Sequence, residues 1–272
     1  MPRIPLEDNF NDVIGKAQRG LKLTDAALAA AAGLTPASLA ALQAGTWDEP
    51  AARTLAPHLR LGADALAVLG RKGWYPEPAV FRGGFAMFNT PYEDITVNAY
   101  LIWDEKTRQA AAFDTGATCA EMLELIQSEK LRVESIFLTH THEDHIADLA
   151  RLVDATRAPV YVSERESQPG ARPFKDGATF HLGGLTIKTL PTWGHSPGGT
   201  TYLITGLTRP VAIVGDALFA SSMGGSRDAY AEQYRNNVEK ILTLPKDTVL
   251  ACGHGPLTTV GQEKLHNPFF TR

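Results

Sequence analysis

Apolar positions along the chain follow two different patterns. Up to about Leu69 the chain is rich in Ala and Leu and carries helical signals, whereas from about Phe81 onward short β-branched runs alternate with helical ones. The stretch between them is rich in Gly and Pro, which is typical of a connecting segment. We therefore predict an all-α domain at residues 1–70, a linker at 71–80 and a larger domain at 81–272.

The larger region alternates strands with helices. This alternation predicts an α/β protein in which helices cover the sheets. The predicted strands are Val97–Trp103, Gln109–Asp114, Val133–Leu138, Val160–Ser163, Thr186–Leu190, Thr201–Ile204, Val211–Val214 and Thr248–Ala251. The predicted helices are Cys119–Lys130, Asp144–Thr156, Tyr230–Leu242 and Thr258–His266.

The first region contains two short helices around a tight turn. Thr24 can cap a helix that Gly33 ends, and Pro36 opens a second helix that Gly45 closes. Over about fifty residues the apolar spacing resembles the repressor-type helix-turn-helix family. The second helix, however, has no Arg, Lys or Asn, and residues 1–70 hold six Lys and Arg against seven Asp and Glu, a net of −1. We expect a packing or dimerising unit and no nucleic-acid partner, with a homodimer left open.

Composition and charge agree with an ordinary globular chain. The 272 residues are 44% hydrophobic and 21% charged, with a formal net charge of −4, which gives no bulk attraction to nucleic acid or anionic membranes. The first residues include acidic side chains before any apolar run, and no apolar stretch approaches about 20 residues. The two cysteines, Cys119 and Cys252, are far apart. We expect a cytoplasmic protein without a membrane partner, with both thiols buried.

Three histidines and an aspartate lie within one short loop. Thr139 to His145 reads Thr-His-Thr-His-Glu-Asp-His and directly follows an apolar strand. In an extended chain His140 and His142 point the same way, whereas Asp144 and His145 rotate off that line once a helix begins. Imidazole nitrogens and carboxylate oxygens are ligands that zinc prefers. The loop therefore predicts a metal site that can serve two adjacent ions.

Three further candidate ligands follow later strands. His195, Asp216 and His254 each come just after a predicted strand and lie beside glycine, which lets the backbone approach an ion closely. The ordered set resembles the metallo-β-lactamase superfamily, whose His-x-His-x-Asp-His loop is followed by a later His, a bridging Asp and a last His. From about Phe81 to the end, this resemblance implies an αββα sandwich hydrolase, here preceded by a small all-α domain.

The resemblance also implies a role for each ligand. It implies two zinc ions, with iron or manganese as alternative metals, and a hydroxide held between them that attacks the substrate. Asp114 matches the family's earlier Asp, a hydrogen-bond acceptor that supports the loop. Asp144 is the implied catalytic residue, because either Asp144 or a water molecule would relay a proton. The first zinc would take His140, His142 and His195, the second Asp144, His145 and His254, and Asp216 would bridge both.

Within the superfamily, two segments resemble the short glyoxalase II-like (hydroxyacylglutathione hydrolase-like) enzymes. They are Gly215–Phe219 and the tail Gly253–Phe269. The resemblance implies a small-molecule thioester substrate such as S-lactoylglutathione. The chain ends soon after Phe269, without the helical region that holds glutathione in full-length glyoxalase II, so we expect weak recognition of the glutathione arm. Arg227 is open to two interpretations, a partner for a substrate carboxylate or a solvated charge.

Other functions stay open at this point. A lactonase or another ester hydrolase would use the same ligands, and a mono-iron persulfide dioxygenase would use fewer of them. The N-terminal helices also leave open a metal- or ligand-sensing DNA-binding regulator.

Overall fold

The computed structural model describes residues 3–271, and its first part is all helical. The helices are α1 (Phe10–Gly20), α2 (Asp25–Ala32), α3 (Pro36–Gln43), α4 (Glu49–Leu55) and α5 (Ala63–Gly70), with a 3₁₀ turn at Ala56–Leu59. Helix α1 was not predicted, although its buried residues Phe10, Val13, Ile14 and Ala17 follow the i, i+3, i+4, i+7 spacing of an amphipathic helix.

The remaining chain folds into two six-stranded sheets. Strands β3 to β6 of the first sheet are parallel, whereas the second sheet is antiparallel except where β10 pairs with β11. The first has the order β1 (Phe85–Tyr92), β2 (Ile95–Trp103), β3 (Gln109–Phe113), β4 (Arg132–Phe137), β5 (Val160–Ser163) and β6 (Arg172–Phe174). The second runs, from β12 back to β7, through β12 (Thr258–Thr259), β11 (Val249–Cys252), β10 (Val211–Gly215), β9 (Thr200–Thr205), β8 (Leu185–Pro191) and β7 (Thr179–Leu182).

The two sheets pack face to face around an aromatic core. Tyr202 of the second sheet lies 5.3 Å from Phe113 and 5.2 Å from Phe137 of the first, measured between ring centroids. Helices cover both outer faces, which confirms the predicted α/β class with an αββα sandwich behind an N-terminal helical part. These helices are α6 (Ala120–Ser128), α7 (Glu143–Ile146), α8 (Leu149–Thr156), α9 (Tyr230–Asn236), which continues in a π turn at Asn237–Ile241, and α10 (Val260–His266).

All eight predicted strands are present, but one predicted helix is wrong. The single helix expected over Asp144–Thr156 is two helices, α7 and α8, with a break at Asp148. The Asp148 backbone N–H donates to Thr115 Oγ1 instead of to a helical carbonyl, and the Asp148 carboxylate accepts the Cys119 N–H. Both partners are distant in sequence. Strands β1, β6, β7 and β12 were not predicted.

The N-terminal helices pack directly on the α/β region. Their buried side chains share one apolar cluster with Met223, Tyr230 and Phe269. No helix or strand lies between α5 and β1, and within this stretch the Tyr75 hydroxyl donates to the Ile4 carbonyl at 2.6 Å. No single helix among residues 3–271 is long and apolar enough to span a membrane; α2 and α3 reach that length only as a pair, which bends by 112°. The domain boundaries and the helix-turn-helix resemblance stay predictions.

Gly20 offers a direct test of this packing. A Cβ atom built at Gly20 would lie 2.1 Å from the Tyr230 ring, so we expect Gly20→Ala to lower stability by roughly 1–3 kcal/mol and the melting temperature by roughly 3–10 °C. Gly15→Ala in the same helix is the control. Its Cβ would meet only the mobile tip of Arg19 at 2.9 Å, and the better helix propensity of Ala should add about 0.5–1 kcal/mol. Equal shifts in thermal unfolding would contradict the packing.

Candidate metal centre

Asp114 holds the histidine-rich loop at the end of the first sheet. Strands β3 and β4 are parallel, so Asp114 and Thr139 follow them at the same edge. The Asp114 carboxylate accepts the Thr139 N–H and hydroxyl, both at 2.7 Å, and the His145 Nδ1–H at 2.9 Å. The predicted acceptor role of Asp114 is therefore what the structure shows. Its backbone has φ 55°, an uncommon conformation for a residue other than glycine.

The other three candidate ligands follow strands of the second sheet. His195 follows β8, Asp216 follows β10 and His254 follows β11, whose parallel pairing with β10 brings the last two to one edge. Gly253 is required beside them, because a Cβ there would lie 2.0 Å from Asp216 Oδ1. A side chain at this position would displace the carboxylate from the centre.

All seven predicted ligands come together in one cluster. Their nitrogen and oxygen atoms form three overlapping groups within 4.8 Å, namely His140, His142 and His195; His140, His145 and Asp216; and Asp144, His145 and His254. His142 Nδ1 lies 3.1 Å from His140 Nε2 and 3.0 Å from His195 Nε2. His254 Nε2 lies 3.3 Å from Asp144 Oδ2.

Asp216 lies between the histidines of the cluster. Its Oδ2 is 3.3 Å from His195 Nε2 and 3.4 Å from His254 Nε2, and its Oδ1 is 3.3 Å from His145 Nε2. This one carboxylate faces His195 of the first implied ligand set and His145 and His254 of the second. A ligand shared by two ions would need this position.

The outward-facing nitrogens of these rings are engaged elsewhere. His195 Nδ1 bonds the Gly225 carbonyl at 2.9 Å and His254 Nδ1 bonds the Thr96 carbonyl at 2.7 Å. A carbonyl only accepts, so each Nδ1 carries a hydrogen, and each Nε2 is the nitrogen that faces the cluster and can bind a metal once it has lost its own proton. His145 is oriented in the same way by Asp114.

Two buried atoms at the centre test whether these residues suit metal ions. His145 Nε2 and Asp216 Oδ1 are buried 3.3 Å apart, but their relative orientation does not form a hydrogen bond, and neither has another hydrogen-bond partner among residues 3–271. Buried polar atoms rarely stay unsatisfied, since each costs about 1–3 kcal/mol. A ligand set of ring nitrogens and carboxylate oxygens is one that zinc and related transition metals accept. The residues therefore fit metal ions.

The electrostatics favour a cation at the same place. Burial lowers the pKa of His140, so that ring stays neutral. Burial opposes charge on His145 and His254, but Asp216, together with Asp114 for His145 and Asp144 for His254, outweighs it and raises their pKa values to about 10 and about 11. Burial would raise the pKa of Asp216, yet the neighbouring histidines keep it well below its usual value. A cluster that attracts protons this strongly also attracts metal cations.

The other candidates lie outside the cluster. Glu143, inside the motif, is exposed. Cys119 and Cys252 are buried, free thiols, and burial raises the pKa of Cys119 to about 12. The remaining histidines are not ligand candidates. His58 and His181 are exposed, and His266 stacks on Trp74 with ring centroids 4.5 Å apart.

Two residues that hold the turn around His254 were not predicted from the sequence. The Asn98 side chain donates to the carbonyls of Cys252 and Gly255, at 2.9 and 2.8 Å. The Tyr100 hydroxyl donates to the Cys252 carbonyl at 2.6 Å. The signal in the sequence was an Asn inside the apolar run that forms strand β2. The structure shows that Asn98 is fully buried, and a buried amide in a strand needs hydrogen-bond partners from elsewhere in the fold.

Comparison with known proteins agrees with this geometry. The sequence profile of the metallo-beta-lactamase superfamily matches residues 92–254. The hydroxyacylglutathione hydrolase GloC of Haemophilus influenzae is 27% identical over 197 residues, which are 63% of this chain and 92% of that protein. Helix α1 and the other N-terminal helices lie outside the matched profile.

Two solved structures share the fold. The B3 metallo-beta-lactamase BLEG-1 is 30% identical, with a TM-score of 0.61 over 69% of this chain and 100% of that one. The protein TTHA1623, solved in a di-iron-bound form, is 28% identical, with a TM-score of 0.55 over 67% of this chain and 99% of that one. The chain belongs to the metallo-beta-lactamase superfamily of metallo-hydrolases.

Proposed function

We propose that this chain hydrolyses small-molecule thioesters with two zinc ions. The observation that carries the proposal is the seven-residue cluster around Asp216, which lies beside an open cavity of about 1050 Å³. The similarity to a hydroxyacylglutathione hydrolase supports a thioester as the substrate class. The similarity to a di-iron protein makes iron the main alternative metal.

The residues divide between two ions as the resemblance implies. His140, His142 and His195 would hold the first, Asp144, His145 and His254 the second, and Asp216 would be shared by both. When bound, such a pair of ions lowers the pKa of water to near neutrality and polarises a carbonyl oxygen.

Asp144 is the residue that we assign to proton transfer. Its side chain is 15% exposed, against 8% for Asp216, so it is the carboxylate with more access to solvent. Burial would raise the pKa of Asp144, but His254 and His145 lower it, which keeps the carboxylate ready to accept the proton of the attacking water. The thiolate that leaves a thioester needs little help from an acid.

A hydrolysis screen tests the proposal. Zinc-loaded protein would be assayed against S-lactoylglutathione, a lactone, a phosphodiester and a β-lactam, with iron-loaded and chelator-treated protein alongside. We expect the thioester to have the highest kcat/KM and chelation to abolish its turnover. Rapid lactone, phosphodiester or β-lactam turnover without thioester cleavage would reject the substrate assignment. Activity confined to iron-loaded protein and a persulfide with O₂ would indicate the dioxygenase alternative.

A further inference from the structure

The cavity beside the metal-ligand cluster is walled by two distant parts of the chain. Its α/β side includes His142, His195 and Trp193. The N-terminal helix α1 contributes Lys16 and Arg19. A substrate whose carbonyl lies at the histidines would therefore extend past a helix that the superfamily profile does not include.

Helix α1 is held firmly against this cavity. The Asp8 carboxylate accepts hydrogen bonds from both Lys16 Nζ and the Ser222 hydroxyl. Lys16 also donates to the Met223 carbonyl at 3.0 Å. The same loop continues to Gly225, whose carbonyl accepts from His195 Nδ1. These hydrogen bonds connect helix α1, which carries Arg19, to the loop that holds the candidate ligand His195.

The charged residues that line the cavity are mostly basic. Four basic side chains line it against a single acidic one, so it has an excess of positive charge in a chain whose overall net charge is −4. An excess of this kind attracts anions. The basic residues are Lys16, Arg19, Arg165 and Arg227, and the acidic residue is Asp228.

Two of these cations are already neutralised by partners. Lys16 is paired with Asp8, and Arg165 is paired with Asp176 at 2.7 Å. Arg19 and Arg227 are exposed, and neither has an ion pair or a side-chain hydrogen bond within residues 3–271. These two guanidinium groups are the ones left to bind a ligand.

We propose that Arg19 of helix α1, together with Arg227, binds an anionic group on the thiol arm of the substrate, so that the N-terminal helices determine specificity. This inference rests on the proposed thioester hydrolysis. The planar guanidinium matches carboxylate and phosphate oxygens through paired hydrogen bonds. The sequence predicts weak recognition of a glutathione arm. We propose instead that Arg19 and Arg227 in the cavity wall recognise the anionic groups of the arm.

Three lactoyl thioesters that differ only in the thiol arm test the inference. The arm is glutathione, which carries carboxylates, coenzyme A, which carries phosphates, or N-acetylcysteamine, which is uncharged. We expect Arg19→Gln to lower kcat/KM on the order of tenfold for the anionic arm that the site accepts, mainly through KM, and to leave the uncharged thioester unchanged. Arg19→Lys should restore part of the loss, and added salt should shrink the difference.

Arg60→Gln is the matched control, since Arg60 is an exposed arginine of the same helical part that does not line the cavity. It should change none of the three rates. An equal loss on all three substrates with Arg19→Gln, or no loss on any, would overturn the inference.

A binding measurement separates this inference from the proposed function, because it needs no turnover. Calorimetric titration with S-methylglutathione, a thioether that cannot be hydrolysed, is compared with its dimethyl ester, in which both carboxylates are masked. We expect the acid to bind wild-type protein more tightly than the ester does. Arg19→Gln should weaken the binding of the acid on the order of tenfold. Equal binding of acid and ester, or no effect of Arg19→Gln, would rule out the glutathione carboxylates as the anion bound by Arg19, even if thioesters are cleaved.

Discussion

Replacing Asp216 with Ala is expected to abolish hydrolysis and to lower the bound metal from about two ions per chain to one or fewer. The Asp216 carboxylate faces His145, His195 and His254 within 3.4 Å, so its loss removes the carboxylate that we propose both ions share. It also leaves neighbouring ring nitrogens without the negative charge that attracts cations. We expect kcat/KM to fall by about a thousandfold or more, measured alongside elemental analysis of the purified protein.

Variants of two further carboxylates serve as comparisons for Asp216→Ala. Glu143→Gln changes an exposed residue of the same motif and should alter neither metal content nor rate. Asp114→Asn removes the charge that supports Thr139 and His145, so metal affinity should fall by about 10- to 100-fold while saturating zinc restores the stoichiometry. One ion per chain in wild-type protein, unchanged by zinc supplementation and by loss of His254, would contradict the two-metal arrangement.

The metal-ligand cluster could be predicted because its signals are local. His140 to His145 directly follow an apolar run, and His195, Asp216 and His254 each come after a predicted strand and lie beside glycine. The carboxyl ends of parallel strands meet at one edge of a sheet. The chemistry of the side chains supplied the rest, since imidazole nitrogens and carboxylate oxygens are ligands that zinc prefers. The proposed division of the ligands between two ions depends on the resemblance and still awaits the metal analysis.

The helix break and the cavity wall depend on contacts that local patterns do not contain. Asp148 ends α7 because its N–H is taken by Thr115, which lies on another segment. Likewise, Lys16 and Arg19 look like ordinary surface charges of an amphipathic helix until α1 is docked near Met223, more than two hundred positions away. Amphipathic spacing indicates that a helix has a buried face, but not which surface that face covers.

Glu263 is the second site where a large effect is expected, and its role is structural. It is fully buried in α10 and accepts the Thr258 hydroxyl at 2.7 Å, the Ser221 N–H at 3.0 Å and the Asn267 amide at 2.8 Å. Ser221 has φ 66° in the loop that leads from Asp216 to the cavity wall. Glu263 therefore anchors a strained loop beside the metal-ligand cluster.

Removing the side chain of Glu263 should be far more damaging than removing its charge. Glu263→Ala removes the acceptor of three buried hydrogen bonds, and we expect a loss of roughly 3–5 kcal/mol in the free energy of unfolding. Glu263→Gln should be tolerated, because its amide oxygen can accept from Ser221 and Asn267 while its NH₂ donates to Thr258, whose hydroxyl can rotate to accept.

The stability contributed by Glu263 is also expected to depend on pH, and Glu263→Gln tests this. Burial raises the pKa of Glu263 from 4.5 to about 7 in the folded protein, although its three hydrogen bonds lower it. The folded state therefore binds this proton more tightly than the unfolded chain does. The stability contributed by Glu263 is fully present below pH 4.5 and is lost as the pH rises through about 7, a change of about 3 kcal/mol. Glu263→Gln cannot titrate, so denaturant unfolding from pH 5 to pH 8 should show its stability rising relative to wild type by most of that amount. Parallel stability curves for the two proteins would show that Glu263 keeps the same protonation state in the folded and unfolded chains, contrary to a pKa raised by burial.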